Sequence, residues 1–318
     1  MTFNFQSASI GNLFLTGARL FSGSFESAIY LLAIMGGVDE AKTAVLPSII
    51  SNFSHHISAG LEDGTVISGQ NAISHPSEPT ALNIPIPDTP ADSATSRIDV
   101  TFEDATLPGA IPTLSQNNIT FSKTSEEPLS SPIRRIWYIN PYGQEMRPST
   151  NPKILDAIKT ADALIYSIGS LYTSIVPSLI LHGVGAGIAR KGGPRFKILI
   201  LNGSLDRETG QYTAADFLNA ITRAFLESQG LSPGVDQPID RGLWSQYVTH
   251  LIHLEGDGVP VVDKKQLLIS GVECVRLYGR NGMNGVMKYD GRALIQALGA
   301  ILGKRDKGEK SRRNTLEM

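Results

Sequence analysis

Short apolar runs alternate with capped helical segments over the second half of the chain. Most positions in these runs are apolar, as in strands that are buried on both faces of a sheet. They lie at residues 133–139, 163–166, 196–202, 248–254 and 272–278. Asn151 and Pro152 open one predicted helix between them, and Thr213 with Asp216 forms a capping box that opens another. This alternation predicts a three-layer α/β fold with a mostly parallel sheet.

The apolar stretch at residues 7–37 could be a membrane span, an export signal or part of a core. Residues 1–9 lack the Lys or Arg that a signal peptide requires. Arg19 and Glu26 interrupt the apolar length that a spanning helix needs. Gly23 divides the stretch into two segments with apolar residues at helical spacing. We therefore predict two amphipathic helices that belong to the core.

Three other segments stand out: a predicted hairpin and two stretches of unusual composition. Asp63-Gly64, between two β-prone runs, predicts a β-hairpin. Residues 74–132 contain nine of the chain's 18 prolines and much Ser and Thr, so burial there cannot offset the entropy cost of ordering. Residues 304–318 are rich in Lys and Arg. We predict one domain over residues 1–303, interrupted by a disordered insertion at 74–132 and followed by a disordered basic tail.

The overall charge gives no attraction to nucleic acid or to an anionic membrane, because 28 basic residues oppose 30 acidic ones. The single cysteine, Cys274, cannot form an intramolecular disulfide or a zinc framework. His250 and His253 would point to opposite faces of a strand, so we predict no metal site there. These features predict a cytoplasmic protein that binds neither nucleic acid nor membrane.

The turn after residues 163–166 is the strongest candidate for a binding site. Ser167, Gly169 and Ser170 follow the apolar strand directly and precede a helix, at the carboxyl end of the predicted sheet. Backbone N–H groups at such a turn bind phosphates in α/β proteins. The alternative is a plain strand-to-helix turn whose hydroxyls only cap the helix. The residues alone leave both interpretations open.

Gly11 and Asn12 offer similar chemistry near the start of the first predicted helix. Glycine permits close approach of a ligand to the backbone, and the asparagine side chain can donate and accept hydrogen bonds. The alternative is capping of the helix N-terminus, which the residues alone favour. No Ser/His/Asp triad is selected by spacing, so the catalytic residues are unknown.

Four blocks of the sequence, in this order, resemble the 2-phospho-L-lactate transferase (CofD-like) and gluconeogenesis-factor family. They are SIGNLFLTGARLFSGSFESAIYLL, GLEDGTVISGQNAIS, NPKILDAIKTADALIYSIGSLYTSIVPSLIL and KILILNGSLDRETGQYTAADFLNAI. The resemblance covers most of the chain outside residues 74–132 and the tail. It implies a Rossmann-like α/β fold.

The resemblance implies two alternative functions. The transferase branch moves a 2-phospho-L-lactyl group from a nucleotide diphosphate carrier to a deazaflavin alcohol, aided by Mg²⁺. The other branch binds nucleotide sugars and regulates carbon use or cell-wall metabolism without catalysis. Both imply a nucleotide diphosphate-linked small molecule as the ligand, and the family implies a homodimer.

Residue by residue, the resemblance assigns two parts of this chain to the ligand. Gly11 and Asn12 match a Gly-Asn block beside the nucleotide. The second part matches a Gly-Ser-Leu-Tyr-Thr loop expected at the phosphate or substrate. Its residues here are Ser167, Gly169, Ser170, Leu171, Tyr172 and Thr173. Ser167-Ile168 departs from the usual Gly-Pro, so the path of this loop does not follow from the resemblance.

Family members also carry, ahead of the Gly-Asn block, a strand with a Gly-Gly-Thr loop for the nucleotide and an Asp-rich segment. Neither motif occurs in this sequence. Our interpretation is an N-terminally truncated chain with half a nucleotide site. The expected Mg²⁺ ligands would lie in the missing segment, which leaves transferase activity an open question.

Overall fold

The computed structural model describes eight parts of the chain. They are residues 9–39, 41–51, 55–75, 110–111, 114, 128–231, 237–282 and 287–303. Most of the predicted disordered insertion at 74–132, and all of the predicted tail at 304–318, lie outside the described residues.

Helices and strands follow one another in the order that the sequence patterns predict from residue 133 onward. The described helices are α1 (Ile10–Ser22), α2 (Phe25–Met35), α3 (Gln70–Ser74), α4 (Pro152–Thr160), α5 (Val176–Leu179), α6 (Val184–Ala189), α7 (Ala214–Ser228), α8 (Trp244–Tyr247), α9 (Lys264–Ile269) and α10 (Gly291–Ile301). The described strands are β1 (His56–Leu61), β2 (Val66–Ser68), β3 (Ile133–Ile139), β4 (Glu145–Met146), β5 (Ala163–Tyr166), β6 (Phe196–Ile200), β7 (His250–His253), β8 (Glu273–Arg276), β9 (Gly279–Asn281) and β10 (Met287–Tyr289).

A parallel sheet forms the middle layer, with the strand order β5-β6-β7-β8. On one face, Leu199 and Leu251 pack in the same buried cluster as Phe217 of α7. On the other face, Ile200 lies in a second buried cluster together with Ala297 of α10. Helices therefore cover both faces, and the predicted three-layer α/β fold with a parallel sheet is confirmed.

β3 belongs to a different sheet from the one that its position in the sequence pattern predicts. It pairs antiparallel with β1, with Ala59 opposite Ile136, in a sheet of order β2-β1-β3-β4. The assignment of residues 133–139 to the parallel sheet is wrong. Arg134 and Arg135 leave β3 only partly buried, whereas a strand inside a parallel sheet is buried on both faces.

The two sheets share one hydrophobic core. Ile57 and Ile136 of the antiparallel sheet lie in the same cluster of buried side chains as Leu199 and Phe217. The Tyr138 hydroxyl, on β3, donates a hydrogen bond of 3.0 Å to the carbonyl oxygen of Pro177 in α5. Burial of this ring raises the pKa of Tyr138 to about 12, so the hydroxyl keeps its proton and stays a donor.

The helices α1 and α2 form as predicted, but they are not core elements. Gly23 ends α1 in the left-handed conformation with φ of 69°, and the Ser24 hydroxyl accepts a hydrogen bond from the N–H of Ser27 at the start of α2. No residue of α1 is buried, and Phe21 is 93% exposed. In α2, only Ala28 is buried. The reason is that α1 packs mainly against α2 and leaves much of its apolar face uncovered.

None of the described helices is both long enough and apolar enough to cross a lipid bilayer. The longest of them, α7, has 15 residues and carries Asp216, Arg223 and Glu227, whereas a spanning helix needs about 20 mostly apolar residues.

Asn151 fixes the start of α4 as the sequence predicts, and it also ties α4 to a distant loop. Its side-chain oxygen accepts a hydrogen bond of 3.0 Å from the N–H of Lys153. Its amide nitrogen donates one of 2.9 Å to the carbonyl oxygen of Pro47. The Asn151 side chain is fully buried, so its own polar atoms depend on these two bonds.

We expect Asn151→Ala to lower the free energy of unfolding by about 1–3 kcal/mol, because it removes a helix cap and the hydrogen bond to the Pro47 carbonyl. Urea unfolding followed by circular dichroism measures the change. Asn71→Ala, at an exposed position of the short helix α3, is the matched control and should change the value by less than about 1 kcal/mol. Equal losses in the two variants would contradict this role of Asn151.

Candidate functional site

The turn after β5 lies at the carboxyl-terminal edge of the parallel sheet. Ser167 is exposed and Ser170 is half-buried, so both hydroxyls can be reached from this edge. Gly169 lies between them, and a Cβ atom at this position would be only 3.2 Å from the Cβ of Ser174. A larger residue would therefore push the turn away from the helix that follows it.

Asn202 joins the ends of two neighbouring strands. It follows β6, and its side-chain oxygen accepts a hydrogen bond of 3.3 Å from the N–H of Gly169. Its amide nitrogen donates one of 3.0 Å to the carbonyl oxygen of the same glycine. Both polar atoms of Asn202 thus hold the turn after β5 in place. Sequence reasoning missed this residue, although an asparagine directly after a buried strand was a signal.

Glu208 is a buried carboxylate that binds the turn after β5 through hydrogen bonds from Tyr172 and Thr173. One of its oxygens accepts hydrogen bonds from the N–H of Tyr172 at 2.8 Å and of Thr173 at 3.1 Å. The other oxygen accepts from the Thr173 hydroxyl. Glu208 is only 2% exposed. The main-chain N–H groups of Tyr172 and Thr173 therefore bind an anion, and that anion is a side chain of the protein.

The loop that carries Glu208 is itself held by hydrogen bonds. Asp206 accepts from the N–H of Glu208 at 3.1 Å and of Thr209 at 3.0 Å, and from the Thr209 hydroxyl at 2.7 Å. Thr209 is fully buried. Sequence reasoning missed Asp206 and Glu208 because their partners lie in different parts of the chain or in an irregular loop.

The predicted loop residues differ in how accessible they are. Leu171 is fully buried, and Tyr172 and Thr173 are buried with their N–H groups bonded to Glu208. Ser167 and Ser170 are the accessible polar members. Some groups of the turn thus form internal hydrogen bonds, whereas the Ser167 and Ser170 hydroxyls remain accessible at the sheet edge.

A π turn follows Ser170 and continues into α5. In it, the N–H of Ile175 bonds to the carbonyl oxygen of Ser170 at 3.3 Å, five residues earlier. Pro177 lacks the N–H that an α-helix would bond to the carbonyl of Thr173. The proline therefore explains why the helix begins with a wider turn, a feature often found beside functional sites.

Gly11 and Asn12 lie at the N-terminus of α1. The Ser9 hydroxyl accepts a hydrogen bond of 3.4 Å from the N–H of Asn12, which is the capping arrangement considered as the alternative. Asn12 is exposed and Gly11 is half-buried. Within the described residues, no hydrogen bond links this pair to the turn after β5.

His253 lies at the end of β7 and is 2% exposed. Its Nδ1 is 2.9 Å from the carbonyl oxygen of Leu254, which can only accept, so we place the proton on Nδ1. Its Nε2 is buried without a hydrogen-bond partner among the described residues. Burial lowers the pKa of His253, and Lys264 and Arg276 lower it further. The imidazole is therefore neutral at physiological pH.

The residues around the turn do not fit Mg²⁺, which takes carboxylate and water oxygens in octahedral geometry. The carboxylate nearest in the hydrogen-bond network, Glu208, already uses both oxygens for N–H and O–H donors of the turn. In the part of the chain that the structure describes, no three His, Cys, Asp or Glu side chains come together as a metal site.

A sequence model of one protein family matches residues 3–274, which is most of the chain. The family is described as 2-phospho-L-lactate transferase CofD. The chain belongs to this family. The resemblance identified from the four sequence blocks is thereby confirmed.

Among relatives of this CofD family member, protein YNL011C of Saccharomyces cerevisiae is 35% identical over 278 residues, which are 81% of this chain and 62% of that protein. The chain thus spans about three fifths of the yeast relative. A gluconeogenesis factor of Halalkalibacterium halodurans is 27% identical over 67% of this chain and 46% of its own length.

Two solved structures have a similar fold. One is a protein from Bacillus halodurans, with a TM-score of 0.59 and 21% identity over 91% of this chain and 71% of that chain. The other is described as a member of the UPF0052 family from Bacillus halodurans, with a TM-score of 0.58 and 21% identity over 91% of this chain and 72% of that chain. These likenesses support a Rossmann-like α/β fold, as the sequence blocks implied.

We expect Glu208 to make stability depend on pH. Burial raises the pKa of Glu208 above its ordinary value, although the Thr173 hydrogen bond opposes the shift. The folded chain therefore binds this proton more tightly than the unfolded chain does. The contribution of Glu208 to the free energy of unfolding should be fully present below pH 4.5 and should be lost as the pH rises through the raised pKa.

Urea unfolding between pH 4 and pH 8, compared for the unmodified chain and Glu208→Gln, tests this expectation. The difference between the two profiles isolates Glu208, and it should slope downward with rising pH. Glu62→Gln, at an exposed carboxylate, is the control and should leave the profile unchanged. A flat difference profile for Glu208→Gln would show that this carboxylate does not titrate differently on folding.

His253 should produce the opposite slope at mildly acidic pH. Because its pKa is lowered in the folded chain, the unfolded chain takes up the proton first as the pH falls through 6.5, and stability is lost. In His253→Asn the loss between pH 7 and pH 5 should shrink, while the asparagine can still donate to Leu254. His182→Asn, at an exposed histidine, should keep the full loss. The same loss in both variants would contradict the assignment.

Proposed function

We propose that this CofD family member binds a nucleotide diphosphate-linked small molecule at the carboxyl-terminal edge of β5 and β6. The pair of hydrogen bonds between Asn202 and Gly169 carries the proposal. It fixes the turn after β5 and holds the hydroxyls of Ser167 and Ser170 at the sheet edge where α/β proteins bind their ligands. The family match supports a phosphorylated ligand.

The activity that we propose is of the 2-phospho-L-lactate transferase type. The hydroxyl oxygen of a deazaflavin-like alcohol attacks the phosphorus atom that carries the lactyl group. A new P–O bond forms, the bond from this phosphorus to the bridging oxygen of the diphosphate breaks, and a nucleoside monophosphate leaves. The alcohol gives up its proton. Such a transfer depends on positioning and on charge neutralisation, and the turn after β5 would position the phosphates.

A second candidate is a nucleotide-sugar-binding regulator without catalysis. Relatives such as the Halalkalibacterium halodurans protein, which bears the name gluconeogenesis factor, favour it. Both candidates use the same edge of the sheet, so they differ in turnover and not in the place of binding. Because the chain spans 62% of the yeast relative and 46% of the bacterial one, the activity of a full-length relative is itself a proposal for this chain.

We expect calorimetric titration of the full chain to detect binding of GDP or of a UDP-sugar. Ser170→Ala should weaken that binding by at least about tenfold, because one hydrogen bond to a charged phosphate contributes about 1.5–3 kcal/mol. Ser27→Ala, at an exposed position of α2, is the matched control and should bind as the unmodified chain does.

A product assay separates the two candidates. Phospholactyl transfer to a deazaflavin, followed by chromatography, supports the transferase, whereas binding of a UDP-sugar without product supports the regulator. No heat with any of these nucleotides, from a sample that is folded by circular dichroism, would contradict both. Equal affinity in Ser170→Ala and Ser27→Ala would show that the site lies elsewhere.

A further inference from the structure

A cavity lies between the antiparallel sheet and α7. It has a volume of about 870 Å³ and is bordered by the segment that leads into β3, by the loop after β6 and by one face of α7. This size is within the range of small-molecule sites. Neither Gly169 nor Asn202 lines it, so it is separate from the sheet edge that we propose for the nucleotide. We call it the arginine cavity.

Four arginines from three different parts of the chain line the arginine cavity. They are Arg134, Arg135, Arg207 and Arg223. Guanidinium groups provide several N–H donors in a planar arrangement, which suits phosphate oxygens better than any other side chain does. Arginines that converge from separate elements on one concave surface are a typical arrangement for binding an anion.

Three of the four carboxylates that line the cavity already have partners, and the fourth, Glu62, is exposed. Glu208 is bonded to the N–H groups of Tyr172 and Thr173. Asp216 accepts from the N–H and the hydroxyl of Thr213 at 2.8 and 2.7 Å. These two carboxylates are held by internal donors, so their capacity to neutralise further arginines is reduced.

Glu227 is also engaged, since it accepts hydrogen bonds of 3.0 and 2.6 Å from Arg135. Arg135 binds Glu145 as well. Arg135 therefore has two carboxylate partners, and it is not the arginine that would need an external anion.

Arg223 is the arginine that lacks such a partner. Its guanidinium donates one hydrogen bond of 3.2 Å to the carbonyl oxygen of Gln237, and among the described residues no carboxylate forms an ion pair with it. It lies on the same face of α7 as Asp216 and Glu227, since these residues are seven and four positions apart. Burial raises the pKa of the Tyr172 hydroxyl in the cavity wall, and the positive charge of Arg223 opposes this shift.

One part of the wall is aromatic and aliphatic. The Tyr172 and Tyr212 hydroxyls are 3.1 Å apart, and their rings meet edge to face with centroids at 6.2 Å. Val176 and Ile180 lie on the same wall. Such a surface suits the apolar body of an organic molecule, whereas the arginines suit its charged group.

We propose that the arginine cavity binds a small phosphorylated organic molecule. The phosphate lies against Arg223 and the neighbouring guanidinium groups, and the organic part packs against the Tyr172–Tyr212 wall. The arginines of this cavity are not part of the nucleotide site, whose turn meets the cavity at Tyr172.

Phenyl phosphate is the probe, since it combines one phosphate with a ring. Calorimetric titration of the full chain should give a dissociation constant below about 1 mM, and inorganic phosphate should bind more weakly because it lacks the ring. Arg223→Gln should weaken phenyl phosphate by at least about tenfold, the effect of losing hydrogen bonds between charged groups. Arg207→Gln is a second variant, at another arginine that lines the cavity, and should also weaken the binding of phenyl phosphate.

Arg190→Gln, which makes the same charge change at an exposed site outside the cavity, is the matched control and should retain full affinity. Ser170→Ala should also retain it, although the same variant should weaken nucleotide binding. Absence of phenyl phosphate binding by the folded chain overturns the proposal. Equal affinities in Arg223→Gln, Arg207→Gln and Arg190→Gln, or a loss in Ser170→Ala alone, overturn it as well.

Discussion

The buried carboxylate of Glu208 connects the loop after β6 to the turn after β5. It accepts two main-chain N–H groups and one hydroxyl from Tyr172 and Thr173. Without it, the first turn of the helix after β5 would bury N–H donors that have no acceptor, at a cost of about 1–3 kcal/mol each. The start of the π turn depends on this side chain, while Asn202 holds Gly169 at the other end of the same segment.

Features that depend on near neighbours in the chain could be predicted from sequence. Asn151 caps α4 two residues away, Asp216 caps α7 three residues away, and Gly23 ends α1 within its own turn. The fold class also follows, because buried strands and capped helices alternate along the chain. Each of these features is encoded by a few adjacent residues.

Features that depend on distant partners could not be predicted in the same way. β3 pairs with β1 across more than 70 residues of sequence, and Glu208 binds residues 35 and 36 positions earlier. The exposure of α1 and α2 was missed for a related reason. Apolar spacing shows that a helix has an apolar face, but not what covers that face, and here α1 is covered mainly by α2.

Tyr172 has its two polar groups in two different surroundings. Its main-chain N–H donates a hydrogen bond to Glu208 in the turn after β5. Its hydroxyl lies beside that of Tyr212 in the arginine cavity and donates a hydrogen bond of 2.9 Å to the carbonyl oxygen of Ile133. One rigid residue thus belongs to both proposed ligand sites. If the position of its ring differs between the empty and filled cavity, affinity at the sheet edge changes with it, and thermodynamic linkage requires the reverse effect to be equal in size. The amount of one ligand bound would then depend, through this buried tyrosine, on the concentration of the other ligand.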